Sequence, residues 1–236
     1  MKYLFFIITA LLLSAVSGLA QETDKNTEQT LPPLAPDTRP PKQDAPKSPP
    51  GLNPDIDALK TPPKGGKDLT VRSEADRKKM LDELFVRLKG AGTEEDAKLV
   101  AEEIWAVWLQ SGSASVDFLL HRGIAAQNAG NLKLARRMYN HVLRLAPNYP
   151  EGWVRSGRLA AQEEDMNRAV NDIMHGLSLE PRHFYALWTL GNLLEQLGRE
   201  DDAFEVYAQA LKLYPKHKQI KARVDYLREK VKGKAL

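Results

Sequence analysis

At 236 residues the chain has room for one medium-sized domain, and a net charge of +3 is too small to mark a nucleic-acid binder. With no cysteine it has neither disulfides nor the lipobox of a lipid-anchored protein, so its stability must come from its core. The charge is unevenly spread: residues 21–72 are neutral, the body from Ser73 to Pro215 is acidic at −4, and Lys216–Leu236 carries +6.

The first twenty residues read as an export signal. Lys2 precedes an apolar run from Tyr3 to Leu13, and the small residues Gly18 and Ala20 end the segment in a small-x-small cleavage pattern. Eleven apolar residues fall short of the roughly 20 that a membrane span needs. The expectation is therefore a periplasmic or secreted protein, with an uncleaved inner-membrane anchor as the alternative. Residues 21–72 hold eleven of the fifteen prolines and no aromatic residue, a composition that cannot bury enough apolar surface to order itself. They read as a disordered linker with polyproline II character.

Order is expected from Ser73. Ser73 with Asp76, and Thr93 with Asp96, have the spacing of N-caps with acidic third residues. Met80, Leu81, Leu84, Phe85 and Leu88 mark the apolar face of a first helix. A second follows with Leu99, Val100, Ile104, Trp105, Trp108 and Leu109. Trp105 and Trp108, three apart on one face, read as core residues. Beyond them the chain repeats itself. Gly123, Gly157 and Gly191 are 34 residues apart, as are Ala135, Ala169 and Ala203, then Leu143, Leu177 and Leu211, then Pro147, Pro181 and Pro215. A period of 34 with small residues at fixed offsets indicates stacked helical hairpins. The glycine and alanine let the two helices approach closely, and the proline stops the second. Clear units run over 116–149, 150–183 and 184–217. An eroded copy is expected over 82–115, with Lys89 at the glycine position and Ser113 at the proline position. Ile220, Val224, Leu227 and Val231 predict a basic capping helix in 218–236. No segment alternates with period two, so no strands are expected.

Trp153, Gly157, Ala160, Ala169 and Pro181 in one unit, and Leu190, Gly191, Gly198, Ala203, Tyr207, Ala210 and Pro215 in the next, resemble the tetratricopeptide repeat family. The resemblance implies an all-α, right-handed superhelical array of antiparallel hairpins over 73–217. Departures are Arg122 and Ser156 at positions usually held by leucine, and Glu164 in place of a turn glycine. It also implies a concave groove lined by the first helix of each hairpin. The positions concerned are Asp117, Leu120, His121, Ile124, Gln127 and Asn128, with Glu151, Val154, Arg155, Arg158, Ala161 and Gln162, and with Tyr185, Trp188, Thr189, Asn192, Glu195 and Gln196. Among them His121, Gln127, Asn128, Arg155, Arg158, Tyr185, Trp188 and Asn192 are the peptide-binding candidates. The arginines can fork onto carboxylates, the aromatics offer flat apolar area, and the amides can bond a peptide backbone. Ile124 stands where the carboxylate clamp of some family members needs asparagine.

No catalytic chemistry is expected. The histidines fall in repeat-equivalent pairs, His141 with His175 and His183 with His217, and no His-x-x-x-His pair exists. There is no Walker loop, no Gly-x-Ser-x-Gly and no Gly-x-Gly-x-x-Gly. The sequence thus predicts a non-enzymatic interaction scaffold that takes a protein or peptide partner, with no cofactor, metal or nucleic acid. The basic tail is a possible weak contact for anionic envelope components. The alternative is a structural or self-associating module whose groove holds its own linker or another copy.

Overall fold

The computed structural model describes residues 69–234, with side chains to Lys230. The segments read from sequence as an export signal and, for the most part, as a proline-rich linker, 1–68, lie outside the described residues. Among the described residues nine helices follow one another: α1 (Glu74–Gly90), α2 (Glu94–Trp108), α3 (Ala114–Asn128), α4 (Leu132–Leu145), α5 (Pro150–Gln162), α6 (Met166–Leu179), α7 (Phe184–Gln196), α8 (Glu200–Leu213) and α9 (Lys218–Lys234). Among the described residues there is no strand, and no helix is long and apolar enough to cross a membrane. The fold is an all-α array of paired hairpins.

Helix starts follow the capping chemistry. Ser73 Oγ accepts from the Asp76 N–H at 3.1 Å, and Thr93 Oγ1 accepts from the Asp96 N–H at 3.1 Å. Asn131 and Asp165 do the same for α4 and α6. His183 and His217, the paired histidines at the end of each repeat, also serve as caps: their Nδ1 atoms accept from the Ala186 and Ile220 N–H groups. Turns inside the hairpins need a left-handed residue. Gly130 (φ +75°) and Gly198 (φ +73°) supply it freely, whereas Glu164 adopts φ +63° with a side chain to accommodate.

Within each repeat the first helix packs on the second: α3 on α4, α5 on α6, α7 on α8. A Cβ at Gly157 would lie 2.8 Å from Ile173 Cγ1 and 2.9 Å from the Ala169 carbonyl oxygen, so the glycine at this repeat position reflects helix approach. The Tyr139 hydroxyl donates to Gln127 Oε1, and the Tyr207 hydroxyl donates to Glu195 Oε2, both at 2.9 Å and both between positions 24 and 12 of a repeat. The middle repeat has Ile173 and Ala161 there, so both ends of that bond are replaced together. Ser156, in a leucine position, is fully buried. It donates to Asp172 Oδ2 at 2.6 Å and accepts from Arg136 Nη1 at 2.8 Å, tying α5 to α6 and α4. Helix α9 packs on α8, with Ile220, Val224 and Leu227 buried, as expected of a cap.

Two sequence boundaries need correction. The segment 82–115 is not a fourth copy in register: α1 begins at Glu74, and α2 does not pack along α3 as α4 packs along α5. The order also begins before Ser73. Val71 is buried, its N–H donates to Gln110 Oε1 at 3.0 Å, and Gln110 Nε2 donates to the Leu69 carbonyl at 2.9 Å.

Candidate functional site

The first helices α3, α5 and α7 adjoin one another and form one surface. Across its N-terminal half lies the α1–α2 hairpin. Leu81, Leu84, Leu88, Ile104, Trp105 and Trp108 share one core with Leu120 and Ile124 of α3, Tyr149 before α5, and Phe184 and Tyr185 of α7. Trp105 meets Tyr185 edge-on with ring centroids 4.9 Å apart. Trp108 stacks on the His183 imidazole at 3.9 Å, nearly parallel, and touches Phe184 at 5.0 Å. The Tyr149 hydroxyl donates to the Trp108 carbonyl at 2.7 Å.

Beneath the tryptophans lies a buried polar floor. Arg155 Nε donates to Glu151 Oε1 at 2.5 Å, and the Arg155 guanidinium sits 4.8 Å from the centre of the Trp105 ring system. His183 Nδ1 is occupied as an N-cap acceptor, so the ring proton is on Nε2 and is donated to Glu151 Oε2 at 2.9 Å. Glu151, Arg155 and His183 are 1%, 3% and 0% exposed. Burial works to raise the Glu151 carboxyl, but the Arg155 charge and the His183 hydrogen bond outweigh it and hold the group below its ordinary value. Burial, joined by repulsion from Arg155, pushes the Arg158 guanidinium down to about 10. Desolvation raises the Tyr185 hydroxyl.

The rim is ionic. Arg182 Nη1 donates to Asp82 Oδ1 at 2.5 Å while its guanidinium lies 4.8 Å from the Phe85 ring centre. Arg77 Nη2 donates to the Gln110 carbonyl at 2.7 Å, and Lys218 pairs with Glu94.

The predicted groove residues separate into groups. Arg155 and Tyr185 come together, but under Trp105: Arg155 is buried, its charge matched by Glu151 one turn earlier, and it does not face an open groove. Trp188 is also buried, 5.0 Å from the Tyr207 ring on the side facing α8, so it packs the repeat and offers no flat exposed surface. Gln127, Arg158 and Asn192 are half-buried, and His121 and Asn128 are exposed. Gln127 Nε2 donates to Gln162 Oε1 at 3.1 Å, joining α3 to α5. Asn192 Nδ2 is engaged by the Trp188 carbonyl of its own helix at 2.8 Å. The C-terminal half of the surface, around Gln127, Arg158, Gln162 and Asn192, is therefore its more open part. Glu151 and His183 were not among the peptide-binding candidates. Their signal was the Glu151/Arg155 spacing of four and the histidine at a helix start.

Residues 184–217 match the tetratricopeptide repeat family. A TPR repeat-containing protein of Rhizobium etli is 30% identical over 156 residues, covering 66% of this chain and 76% of the relative. The chain belongs to the tetratricopeptide repeat family. Two solved structures are similar at lower identity. The TPR domain of Sgt2 from Aspergillus fumigatus is 18% identical, covers 51% of this chain and 81% of that one, and has a TM-score of 0.47. The Yersinia enterocolitica type III secretion chaperone SycD, in complex with a peptide of the translocator YopD, is 16% identical, covers 52% and 97%, and has a TM-score of 0.48. In this tetratricopeptide repeat protein, half of the first-helix surface is covered by the chain's own hairpin.

Proposed function

We propose that this protein is a non-catalytic scaffold that holds a protein segment on the surface formed by α3, α5 and α7, in the bacterial periplasm. One observation carries the reading: that surface already holds an amphipathic helix, through stacked aromatics, a cation over a ring and a hydrogen bond to a backbone carbonyl. Its chemistry suits polypeptide. The more open half, with Gln127, Asn128, Arg158 and Asn192, supplies amides and a cation for the partner's backbone and carboxylates. Lys2 and the apolar run Tyr3–Leu13 support export. The basic tail contributes less than its charge implies, because Lys221, Arg223, Arg228 and Lys230 pair with Asp225, Glu195, Asp225 and Glu200 within the chain.

Photo-crosslinking from Asn128 in intact cells tests this. The scaffold reading requires a discrete crosslinked envelope protein and recovery of the chain in the periplasmic fraction; cytosolic recovery, or no crosslink from the open half, overturns it. A second reading is favoured by the covered groove: a structural module completed by its own chain, with the hairpin in the place expected for the linker. It predicts full groove occupancy and no crosslinked partner.

A further inference from the structure

Four buried side-chain polar atoms have no hydrogen-bond partner among the described residues: Arg77 Nε, Trp105 Nε1, Trp108 Nε1 and Arg155 Nη2. Three belong to the α1–α2 hairpin, and the fourth is the guanidinium directly under it. A buried donor without an acceptor costs free energy that its surroundings do not return. The unsatisfied atoms are therefore concentrated where the hairpin meets the array. The second core, built from residues of α5 to α9, has none of them.

The contact is also one of opposite charge. Helix α2 carries Glu94, Glu95, Asp96, Glu102 and Glu103 against the single cation Lys98. Two ion pairs cross from the array, Arg182 to Asp82 of α1 and Lys218 to Glu94 of α2, while Arg155 lies over the Trp105 ring and Glu103 is bonded to Arg87 of α1. Glu151 keeps both of its partners without the hairpin, accepting from Arg155 Nε and His183 Nε2, so lifting α2 would leave this buried carboxylate paired. The connection from hairpin to array is short, Leu109–Ser113, with Gly112 in the left-handed region at φ +85°.

We propose that α1–α2 is a removable plug, and that it exchanges with an acidic amphipathic helix bearing two aromatic side chains one turn apart and an acceptor for Arg155 Nη2. This rests on the reading of the first-helix surface as a partner site and names the partner's chemistry. Such a helix reproduces the Trp105 and Trp108 contacts with Arg155 and His183. By placing a carboxylate on Arg155 Nη2 it satisfies a donor that the plug leaves bare, which is how a partner in trans competes with a segment attached in cis. The protein is then self-closed until a better-matched helix arrives.

The test uses the full chain and a fluorescent synthetic peptide spanning Gly92–Gln110, followed by anisotropy. Wild type, with the plug in place, binds the peptide weakly. The double variant Trp105→Ala/Trp108→Ala, whose own plug has lost both anchors, binds it about tenfold tighter or more, because apparent affinity scales with the fraction of open groove. The same peptide with both tryptophans replaced by alanine does not bind. A double variant that keeps the array's helicity yet binds no tighter overturns the proposal. Hydrogen exchange on wild type decides the matter if that variant folds poorly. The plug requires α1 and α2 to exchange through an opening that leaves α5–α8 protected, and saturating peptide to speed exchange in α1 and α2 alone. Exchange of all helices together, unchanged by peptide, overturns it. Failure here with retained crosslinking from Asn128 removes the plug and keeps the scaffold; the reverse pattern does the opposite.

Discussion

Replacing Arg155 with alanine separates the structure from the usual view of a groove arginine. An exposed arginine contributes little, and its loss changes stability by no more than about 0.5 kcal/mol. Arg155 is 3% exposed and is bonded to Glu151, which is 1% exposed. Removing one partner of such a buried pair leaves the other charge stranded, at a cost of about 3–5 kcal/mol. His183 Nε2 remains on the second Glu151 oxygen and relieves part of that, so we expect about 3 kcal/mol. For a domain of this size that is a fall in Tm of roughly 6–12 °C. Guanidinium unfolding of wild type and Arg155→Ala, followed by circular dichroism, gives the difference directly. The double variant Glu151→Gln/Arg155→Met removes both charges at similar volume and recovers most of the loss. A single variant within about 0.5 kcal/mol of wild type refutes the buried pair.

Gly157→Leu drives a side chain into Ile173 and the Ala169 carbonyl and is expected to destabilise by about 3 kcal/mol, read as a lowered melting temperature. Glu164→Gly relieves a left-handed turn and, against the extra chain entropy of glycine, raises stability by roughly 0.5 kcal/mol, measurable by urea midpoint. The depressed Glu151 carboxyl stabilises the fold at pH above its ordinary value of 4.5, and that contribution is lost as pH falls from there through the folded value. Burial likewise depresses His217, whose contribution is present above 6.5 and declines below it; unfolding midpoints from pH 8 to about 3 trace both losses. Deleting residues 21–68 leaves melting unchanged, while extending the deletion through Arg72 lowers it, because Val71 is buried and bonded to Gln110.

The repeat array was legible because its determinants are local and periodic. Gly157, Ala169 and Pro181 each record a steric demand that recurs every 34 residues, and the caps at Ser73 and Thr93 mark true helix starts. Those same caps already conflicted with a first helix starting near position 82. The position of the α1–α2 hairpin was not legible, since it depends on contacts between residues about 75–80 apart in sequence, Trp108 with His183 and Trp105 with Tyr185. Periodicity predicts that Trp105 and Trp108 are buried but not against what. Arg155 was misplaced for a related reason: family resemblance gives the direction of its helix face, while its burial follows from a covering element elsewhere in the chain. The acid one turn before it was the available sign.

The covered groove is most directly tested by proton–proton nuclear Overhauser effects on the full chain in solution. With Trp108 and His183 rings centred 3.9 Å apart and Trp105 and Tyr185 rings 4.9 Å apart, strong cross-peaks are expected between the Trp108 indole and the His183 imidazole, and between the Trp105 and Tyr185 rings. Cross-peaks within each repeat, such as Trp188 to Tyr207, combined with no contact from either Trp105 or Trp108 to α7 or its cap, would contradict it.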